Sequence, residues 1–566
     1  MQTPHMIRRS AAILLAALSL GSVALAAEAA SPTVRLSSGA VASPDIYGAR
    51  AAQTILKQGG NAVDAAVATA FTLAVTYPEA GNIGGGGFMT LWVKGKPYFL
   101  DYRETAPRAA RADMYLDAKG APIDALSQVG VLSAGVPGTV AGLYAAHQRF
   151  GKLSWAQDLA PAISYARHGF KVTEQLFDMK TDSESPFIKT TNFQRYFGGM
   201  NKGVQFRQPE LAKTLARIAR LGPKGFYQGP VADLIVAQMA RADHPGLITR
   251  QDLAAYRPLW RKPIQGQWKD YEVVTAPPPS SGGIALLQML NMKADAAALF
   301  ADAPLNSPRY MHLISEIEKR VFADRAQYLG DPDFVKVPVE ALIDPAYVAR
   351  RAREINPDRP SATASVQPGL EKPQTTHFSI IDRDGNAVSN TYTLNGWFGA
   401  GVIVEGAGFL LNDEMDDFSV KPGAPNMYGV VGGDANAIAP NKRPLSSMTP
   451  TLLTKDGKVV MVIGTPGGSR IFTSVFQVLV NVYDFHQPLD QALKTLRFHH
   501  QLLPENTIFS EPFARFPASL VAELKALGYT VADQDWNGDI EAIQVVDNRP
   551  IPAADPRARG VAVLAH

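Results

Sequence analysis

The spacing of hydrophobic positions in the first part of the chain predicts helices. The mature chain is expected to open with a helix that begins at residues 43–44, Ser-Pro, and ends at the glycine pair 59–60. Asn61 can cap the next helix, which is small and apolar nearly all round over residues 62–71 and is therefore predicted to be buried. Four glycines at 84–87 precede a strand-like segment, which indicates close backbone packing or a ligand near the main chain.

The middle of the chain continues this helical pattern and then loses it. Residues 140–350 space their apolar positions near 3.6, and we interpret them as a helical scaffold. A loop at residues 277–283, with three prolines in a row, precedes another helix start within it. Residues 352–374 contain four prolines and almost no apolar periodicity. They are predicted to form an exposed, poorly structured connector.

After this connector the pattern changes to a period of two. Residues 377–382 and 387–394 are predicted to form one hairpin, and residues 451–454 and 459–463 a second. A glycine-containing loop at 464–469 then leads into another helix. This order along the chain, helices first, then antiparallel hairpins and then helices again, predicts a sandwich of sheets covered by helices.

The N-terminus has the pattern of a secretory signal peptide, residues 1–26. Two arginines and no acid precede an apolar run of about sixteen residues that ends in Ala24-Leu25-Ala26, a small-x-small cleavage pattern. The run is short for a membrane span, although an uncleaved anchor is the alternative, and no later stretch is long enough to cross a bilayer. The expected destination is a bacterial periplasm or the extracellular space.

Composition narrows the classes of function. With 566 residues, 46% of them hydrophobic and 19% charged, the chain is globular and long enough for one large layered domain or two units. The formal charge of +3 falls to +1 if Arg8 and Arg9 leave with the signal peptide, so no nucleic-acid footprint is indicated. The absence of cysteine excludes thiol nucleophiles and thiolate metal sites.

The Gln374–Thr375 bond lies where the connector meets the first predicted hairpin. If that bond is cut, Thr375 gains a free α-amine with an ordinary pKa of about 7.7–8.0, which suits a general base near neutral pH. A base within the same residue can activate the threonine hydroxyl, and the same hydroxyl can make the cut through an N-to-O acyl shift. An ordinary loop-to-strand junction is the alternative.

Other polar residues are candidates for substrate binding and catalysis. Thr391, Thr393 and Asn395 are two apart and would share one face of a strand, either a catalytic face or a solvated one. The acidic run 414–417 could hold an ammonium group, and Arg103 with the serine pair 446–447 could hold a carboxylate. The backbone of the 464–469 loop could stabilise an oxyanion, with a simple turn as the alternative.

Several other catalytic signatures are missing from the sequence. It has no Gly-x-Ser-x-Gly elbow and no His-Glu-x-x-His motif. His499 and His500 are adjacent, so their side chains diverge and make a poor chelating pair. We therefore expect neither a metal nor an organic cofactor.

Together these segments resemble the γ-glutamyltransferase, or glutathione hydrolase, family of N-terminal-nucleophile hydrolases. The resemblance extends over nearly the whole mature chain. It is carried by motifs at residues 59–65, 84–88, 102–104, 278–283, 375–379, 384–388, 391–395, 411–418, 440–448 and 467–470.

The resemblance implies an α+β fold, a four-layer αββα sandwich. It also implies autocatalytic cleavage into a large subunit, residues 27–374, and a small subunit, residues 375–566, that stay associated. Thr375 would then act as nucleophile through its hydroxyl and as base through its amine. Thr393 would hydrogen-bond Thr375, and Gly467 and Gly468 would form the oxyanion hole.

The same resemblance implies a site for a γ-glutamyl donor. The α-carboxylate would bind to Arg103, Ser446 and Ser447. The α-amine would bind to Asn395, Glu414 and Asp417. Tyr428 resembles the residue of a lid loop found in some bacterial members. Glu414 stands where many bacterial members carry glutamine, and glutamate also accepts from an ammonium group. Gly396 and Trp397 replace smaller polar residues. A tryptophan there can reshape the acceptor side, which leaves the balance of hydrolysis and transfer open.

The expected activity is therefore hydrolysis and transpeptidation of γ-glutamyl amides such as glutathione. The γ-glutamyl group would pass to Thr375 and then to water, an amino acid or a short peptide. Two alternatives stay open. One is a β-lactam acylase of the same fold, acting on glutaryl or cephalosporin side chains, which would not need the ammonium-binding group. The other is an exported binding protein that is never cut.

Overall fold

The computed structural model describes residues 35–123, 125–362, 376–421 and 433–566. The predicted signal peptide, the Gln374–Thr375 bond and Tyr428 lie outside the described residues. Within these ranges, no helix combines the length and the apolar character that crossing a membrane requires.

Helices fall in two groups along the chain, most of them before residue 354 and a few after residue 469. In chain order they are α1 (Ile46–Lys57), α2 (Ala62–Thr76), α3 (Thr139–Phe150), α4 (Trp155–His168), α5 (Glu174–Ser183), α6 (Phe193–Phe197), α7 (Pro209–Leu221), α8 (Lys224–Tyr227), α9 (Pro230–Met239), α10 (Arg250–Ala255), α11 (Gly282–Asp295), α12 (Pro308–Tyr328), α13 (Val339–Leu342), α14 (Pro345–Arg353), α15 (Arg470–Tyr483), α16 (Leu489–Lys494) and α17 (Ala518–Ala526).

Strands come from both halves of the chain. They are β1 (Gly39–Ser43), β2 (Gly86–Val93), β3 (Lys96–Asp101), β4 (Phe170–Lys171), β5 (Gln205–Phe206), β6 (Leu259–Arg261), β7 (Ile264–Trp268), β8 (Tyr271–Thr275), β9 (Thr376–Ile381), β10 (Ala387–Thr393), β11 (Thr451–Lys455), β12 (Lys458–Gly464), β13 (Thr507–Ser510), β14 (Thr530–Asp533), β15 (Glu541–Val546), β16 (Arg549–Ala554) and β17 (Val561–Ala565).

Two large antiparallel sheets form the centre of the described structure. The first has the strand order β17-β1-β9-β10-β2-β3-β6, and the second has the order β16-β15-β12-β11-β8-β7. Each sheet mixes strands from before and after the predicted junction. The two halves of the chain therefore share both sheets, and a cut between them would leave the halves joined by strand pairing.

Alternation of side chains along the strands produces the four layers. In β11, Leu452 packs between the sheets while its neighbour Leu453 packs against the helices α11, α12 and α15. In β12, Val462 points inward and Met461 outward in the same way. The first sheet has its own helical cover, which includes α2 and its Phe71. The predicted αββα sandwich is confirmed.

The first helices differ from the prediction in their boundaries. The described part of the chain begins with a strand, β1, ahead of α1, so the expectation that helices come first is wrong. Ser43 ends that strand, and α1 is capped by Asp45, whose Oδ1 accepts from Gly48 N at 2.6 Å. The cap and the burial predicted for α2 are confirmed, since Asn61 forms a capping box and every residue of the helix is buried.

The glycines at 84–87 serve close backbone packing. A Cβ atom on Gly85 would collide with the carbonyl oxygen of Thr393, and one on Gly84 with that of Leu410. Both hairpins and α15 form as predicted. The 140–350 region was predicted as mainly helical scaffold, and it also supplies the short strands β4 to β8.

Candidate active site

The start of β9 is fixed in the centre of the first sheet. Thr376 is the first residue of the strand and lies opposite Tyr392 of β10, and the next pair is His377 with Thr391. The side chains of all four residues are buried. Any chemical group attached to the N-terminal side of Thr376 therefore starts from a rigid, well-paired position.

A chain of hydrogen bonds ties this strand to the second sheet. His377 Nε2 lies 3.0 Å from Ser379 Oγ, which donates to the Glu541 carbonyl at 2.8 Å, so Nε2 carries the proton. His377 Nδ1 then accepts from Thr391 Oγ1 at 2.9 Å. Burial lowers the pKa of His377 to about 3, so the imidazole is neutral. The solvated-face alternative for Thr391 is wrong.

Thr393 and Asn395 form the end of β10. Thr393 Oγ1 accepts from Asn395 N at 2.8 Å, and Asn395 Nδ2 donates to the carbonyl of Asp413 at 3.0 Å. Asn395 has a φ of +77°, so the strand has ended and its side chain does not continue the face of Thr393 as alternation predicted. The turn instead aims Asn395 at the acidic segment.

That acidic segment surrounds one arginine. The Arg103 guanidinium is fully buried and donates to Glu414 Oε1 through Nη1 and to Asp417 Oδ2 through Nη2. Glu104 Oε2 lies 3.6 Å from Nη1. The Asp417 side chain is 16% exposed, whereas that of Glu414 is only 1% exposed. The cluster therefore reaches solvent on the Asp417 side.

The charged groups in this cluster shift one another's pKa values. Burial alone would lower the pKa of Arg103, but Glu414, Asp417 and Glu104 outweigh burial and raise it, so the guanidinium stays charged. Burial raises the pKa of Glu104 to about 7, against the opposing effect of Arg103. The sequence analysis included Glu104 in the motif at residues 102–104 but assigned it no role.

The serine pair lies beside the same arginine. Arg103 Nε and Nη2 donate to the carbonyls of Pro444 and Leu445, each at 3.3 Å, which places Ser446 next to the guanidinium. Ser446 and Ser447 are both buried. The structure thus brings together the predicted carboxylate-binding and ammonium-binding residues at a single cluster.

Two residues to which the sequence analysis assigned no role support the serines: Ser281, which immediately precedes α11, and Arg325 of α12. Ser281 donates its backbone N–H and its hydroxyl to the Ser446 carbonyl, at 2.7 and 2.9 Å. Arg325 Nε donates to Ser281 Oγ at 3.0 Å, and Arg325 Nη2 donates to Ser447 Oγ at 3.3 Å. Both belong to the region that we interpreted as scaffold.

The predicted oxyanion loop joins β12 to α15. Gly467 and Gly468 have φ angles of +143° and +50°, conformations that strongly favour glycine. The loop begins beside β9, because a Cβ atom on Gly464 would collide with the His377 ring. Two adjacent backbone N–H groups just before a helix form a favourable setting for negative charge.

Among the described residues, one set of three side chains away from this site has the spacing of possible metal ligands. The ligand atoms of Asp64, His147 and Asp158 lie within 4.8 Å of one another. Asp64 already accepts from the backbone N–H groups of Asn61 and Lys152, and His147 Nδ1 is 2.9 Å from Asp158. These bonds join the start of α2 to the α3–α4 turn, and we assign the group a structural role.

The remaining candidates have local partners. His499 lies 3.0 Å from Thr473 Oγ1, and His500 lies 2.8 Å from the Thr507 carbonyl, so both histidines have hydrogen-bond partners in the fold. The Trp397 ring lies 6.2 Å from that of Trp536, at 30°. Its influence on the acceptor remains a prediction.

Comparison with known proteins identifies relatives over nearly all of the chain. The sequence model described as gamma-glutamyltranspeptidase matches residues 48–565. A glutathione hydrolase proenzyme from Pseudomonas aeruginosa is 61% identical over 98% of this chain and 99% of the relative. A solved gamma-glutamyltranspeptidase from Pseudomonas nitroreducens, complexed with L-DON, is 61% identical with a TM-score of 0.58, covering 59% of this chain and 99% of that chain.

A cephalosporin acylase from Bacillus halodurans has a similar fold at lower identity. Its structure is 28% identical with a TM-score of 0.79, and the match covers 94% of this chain and 96% of that chain. The acylase thus supports the layered sandwich, while the far higher identity lies with the glutathione hydrolase. The chain belongs to the gamma-glutamyltranspeptidase family.

Proposed function

We propose that this protein is a γ-glutamyl hydrolase and transpeptidase that cleaves glutathione-like amides with Thr375 as its nucleophile. The observation that carries the proposal is the buried cluster of Arg103 with Glu414 and Asp417, beside Ser446. A γ-glutamyl donor has a carboxylate and an ammonium group on one carbon. This cluster offers a cation and two anions within one side-chain length, which is the complementary arrangement.

Binding would exchange internal ion pairs for pairs with the donor. The donor carboxylate would take Arg103 and the hydroxyls of Ser446 and Ser447, and its ammonium group would take Glu414, Asp417 and the Asn395 amide. Because the partners are already desolvated and held by neighbours, little ordering remains to be done when the donor binds. The solvent-facing side of Asp417 is the proposed entry.

Thr375 would carry the chemistry. Its Oγ attacks the γ-carbonyl while its α-amine accepts the hydroxyl proton, and the same amine passes that proton to the departing amine. The backbone N–H groups of Gly467 and Gly468 would stabilise the oxyanion. Water or an acceptor amine then resolves the γ-glutamyl ester. Support comes from the rigid pairing of Thr376, the residue bonded to Thr375, with Tyr392, the neighbour of Thr393.

The proposed cut before Thr375 also fits the extent of a relative. Residues 27–374 make up 348 of 566 residues, about 61% of the chain. The solved P. nitroreducens chain, 99% of which is matched, covers 59% of this chain. That extent is expected if the relative consists of two polypeptides. The shared sheets explain how two such pieces would stay associated.

The two rival functions make different predictions. A glutaryl acylase has no use for an ammonium-binding group, and Asn395, Glu414 and Asp417 all lie at this site. A binding protein that is never cut would run as one band on a denaturing gel. We also propose export to the periplasm, on the N-terminal pattern and the bacterial origin of the P. aeruginosa relative.

The test combines processing with activity. The purified protein should give two fragments, and N-terminal sequencing of the smaller one should begin at Thr375. It should release aniline from a γ-glutamyl anilide much faster than from a glutaryl anilide. Thr375→Ala should stay uncut and inactive, with Thr376→Ala as the adjacent control that keeps the nucleophile. A cut and active Thr375→Ala protein would refute the proposal.

A further inference from the structure

Arg325 is a buried cation that the proposed mechanism does not use. It lies on α12, is 4% exposed, and directs its guanidinium at the serines behind the donor site. Its contacts include Nε to Ser281 Oγ at 3.0 Å and Nη2 to Ser447 Oγ at 3.3 Å. Asp417, on the other side of the site, is close enough to interact with it electrostatically.

We propose that Arg325 is a positioning residue for the donor α-carboxylate, acting through Ser447 and Ser281. This inference rests on the proposed function. Arg325 would be a second guanidinium at the carboxylate site. It contacts Ser447 from α12, whereas Arg103 contacts the carbonyls of Pro444 and Leu445 just before the serines. The recognised ligand would be an α-amino acid head group with a free carboxylate.

The direction of the hydrogen bonds carries the argument. Arginine can only donate, so Ser281 Oγ and Ser447 Oγ must both accept from Arg325. Each hydroxyl hydrogen is thereby turned away from α12. For Ser281 the hydrogen goes to the Ser446 carbonyl at 2.9 Å, which fixes the backbone of the serine pair. Ser447 Oγ accepts from Arg325 and also lies 3.4 Å from Ser281 Oγ, so these two residues fix the position of its hydroxyl group.

Donor polarity is what a carboxylate requires. A serine hydroxyl can accept or donate, and without a cation behind it Ser447 would be as ready to present a lone pair, which repels a carboxylate. The positive charge of Arg325 favours the orientation in which the Ser447 hydrogen points away from the guanidinium, and it also polarises the O–H bond. Burial lowers the pKa of Arg325 to about 10, yet the group stays charged near neutral pH, so its field persists in the working site.

The test separates recognition of the carboxylate from general damage. L-Glutamate and 4-aminobutanoate are competing ligands that differ only in the α-carboxylate. In Arg325→Met we expect the inhibition constant of L-glutamate to rise about tenfold, since one charge-assisted hydrogen-bond relay is lost, and that of 4-aminobutanoate to stay unchanged. KM for a γ-glutamyl anilide should rise similarly, with kcat changing far less.

Three further variants keep the test decisive. Arg325→Lys retains a cation and should recover part of the L-glutamate affinity, also if Arg325→Met folds poorly. Arg320→Met removes a buried arginine of the same helix that bonds Glu316 rather than the serines, and it should not change the ratio of the two inhibition constants. Because Arg325 acts through Ser447, the effects of Arg325→Met and Ser447→Ala should be far from additive.

The outcomes distinguish this inference from the proposed function. If wild-type protein neither cleaves a γ-glutamyl anilide nor binds L-glutamate, the proposed function fails. If wild-type protein does both, but Arg325→Met weakens L-glutamate and 4-aminobutanoate equally or weakens neither, Arg325 has only a structural role. Additive effects with Ser447→Ala would equally overturn the positioning through that serine.

Discussion

Two helices, α2 and α12, are both largely buried, but α12 buries several charged side chains and α2 buries only one. Every residue of α2 is buried, and its only charged side chain, Asp64, lies in the first turn. In α12 every residue from 310 to 325 is buried. That stretch contains the charged side chains Glu316, Glu318, Lys319, Arg320, Asp324 and Arg325.

The buried charged residues of α12 make specific contacts with neighbouring segments. Glu316 bonds Lys319 at 3.0 Å and Arg320 at 2.9 Å, and it also accepts from the backbone N–H of Ser361 at 3.0 Å. Lys319 donates to the Ser361 carbonyl at 2.7 Å. One end of the buried stretch thus holds the chain shortly before the proposed junction, and the other end, at Arg325, holds the site serines.

The difference teaches what a fully buried helix can be used for. An apolar helix such as α2 fills volume, and its neighbours need only match its shape. Burying charge is costly unless each group has partners, so the buried charges of α12 depend on the groups that they bond. The contrast predicts that the two helices fail differently when single residues are changed.

The largest expected effect is the loss of the Glu316 charge. Glu316→Gln leaves Lys319 and Arg320 buried without their anion, which should lower the free energy of unfolding by about 3–5 kcal/mol. The expected result is a clear fall in the calorimetric unfolding midpoint at pH 7. Leu73→Ala in α2 is the matched apolar control, with a cavity cost of about 2–5 kcal/mol.

The pH dependence distinguishes the two losses. Burial alone would raise the pKa of Glu316, but Lys319, Ser361 and Arg320 outweigh it and lower the pKa from 4.5 to about 2. A folded-state pKa below the unfolded value contributes stability above about pH 4.5 that is lost as the pH falls toward 2. The gap between wild type and Glu316→Gln should therefore narrow below pH 4.5, and that of Leu73→Ala should not. Parallel pH curves would contradict the charge account.

The same contrast explains which parts of the fold were predictable. In α2 the small apolar residues, the Asn61 cap and the following glycines agree with one another, and the predicted helix and its burial are both confirmed. In α12 the charged residues give the pattern of a partly exposed helix. Sequence periodicity cannot show that Ser361 and Ser447 lie against it, so the burial of these charges was not predictable. Interpreting that region as scaffold was therefore incomplete.

The candidate site was predictable in its members and not in its geometry. The resemblance supplied Arg103, Glu414, Asp417 and the serine pair as separate motifs, and the structure brings them together. That Arg103 already pairs with both acids depends on contacts across more than 300 positions of sequence, which no local pattern records. Thr375 itself stays a prediction.

The second expected effect asks whether a charge at the site serves binding rather than stability. Asp417→Asn removes one anion from the proposed ammonium site and should raise KM for γ-glutamyl donors by about 10–100-fold, or about 1.5–3 kcal/mol. The unfolding midpoint should change little, because Asp417 is partly exposed and Arg103 keeps Glu414. This is the reverse of the result expected for Glu316.

Asp416 provides the control for this variant. It neighbours Asp417 but faces Ser127, whose hydroxyl donates to it at 2.5 Å. Asp416→Asn should therefore leave KM nearly unchanged in the same anilide assay. An unchanged KM in Asp417→Asn would place the donor ammonium group elsewhere, and equal rises in both variants would show only that the segment tolerates no change.

The smallest expected effect concerns the first turns of the two helices. Asn61 Oδ1 accepts from Val63 N at 2.9 Å and Asp64 N at 3.0 Å, whereas Ser307 Oγ accepts only from Tyr310 N, at 3.2 Å. Replacing a cap by alanine costs about 0.5–2 kcal/mol, so Asn61→Ala should fall near the upper end and Ser307→Ala near the lower end. Aspartate at position 307 preserves an acceptor and should restore most of the unfolding midpoint. At position 61 aspartate should restore less, because it loses the Asn61 Nδ2 bond to the Phe150 carbonyl at 2.6 Å. If Ser307→Ala proved the more damaging of the two, the stability of α12 would depend on its N-terminal turn, and the weight placed on its buried charges would have to be reduced.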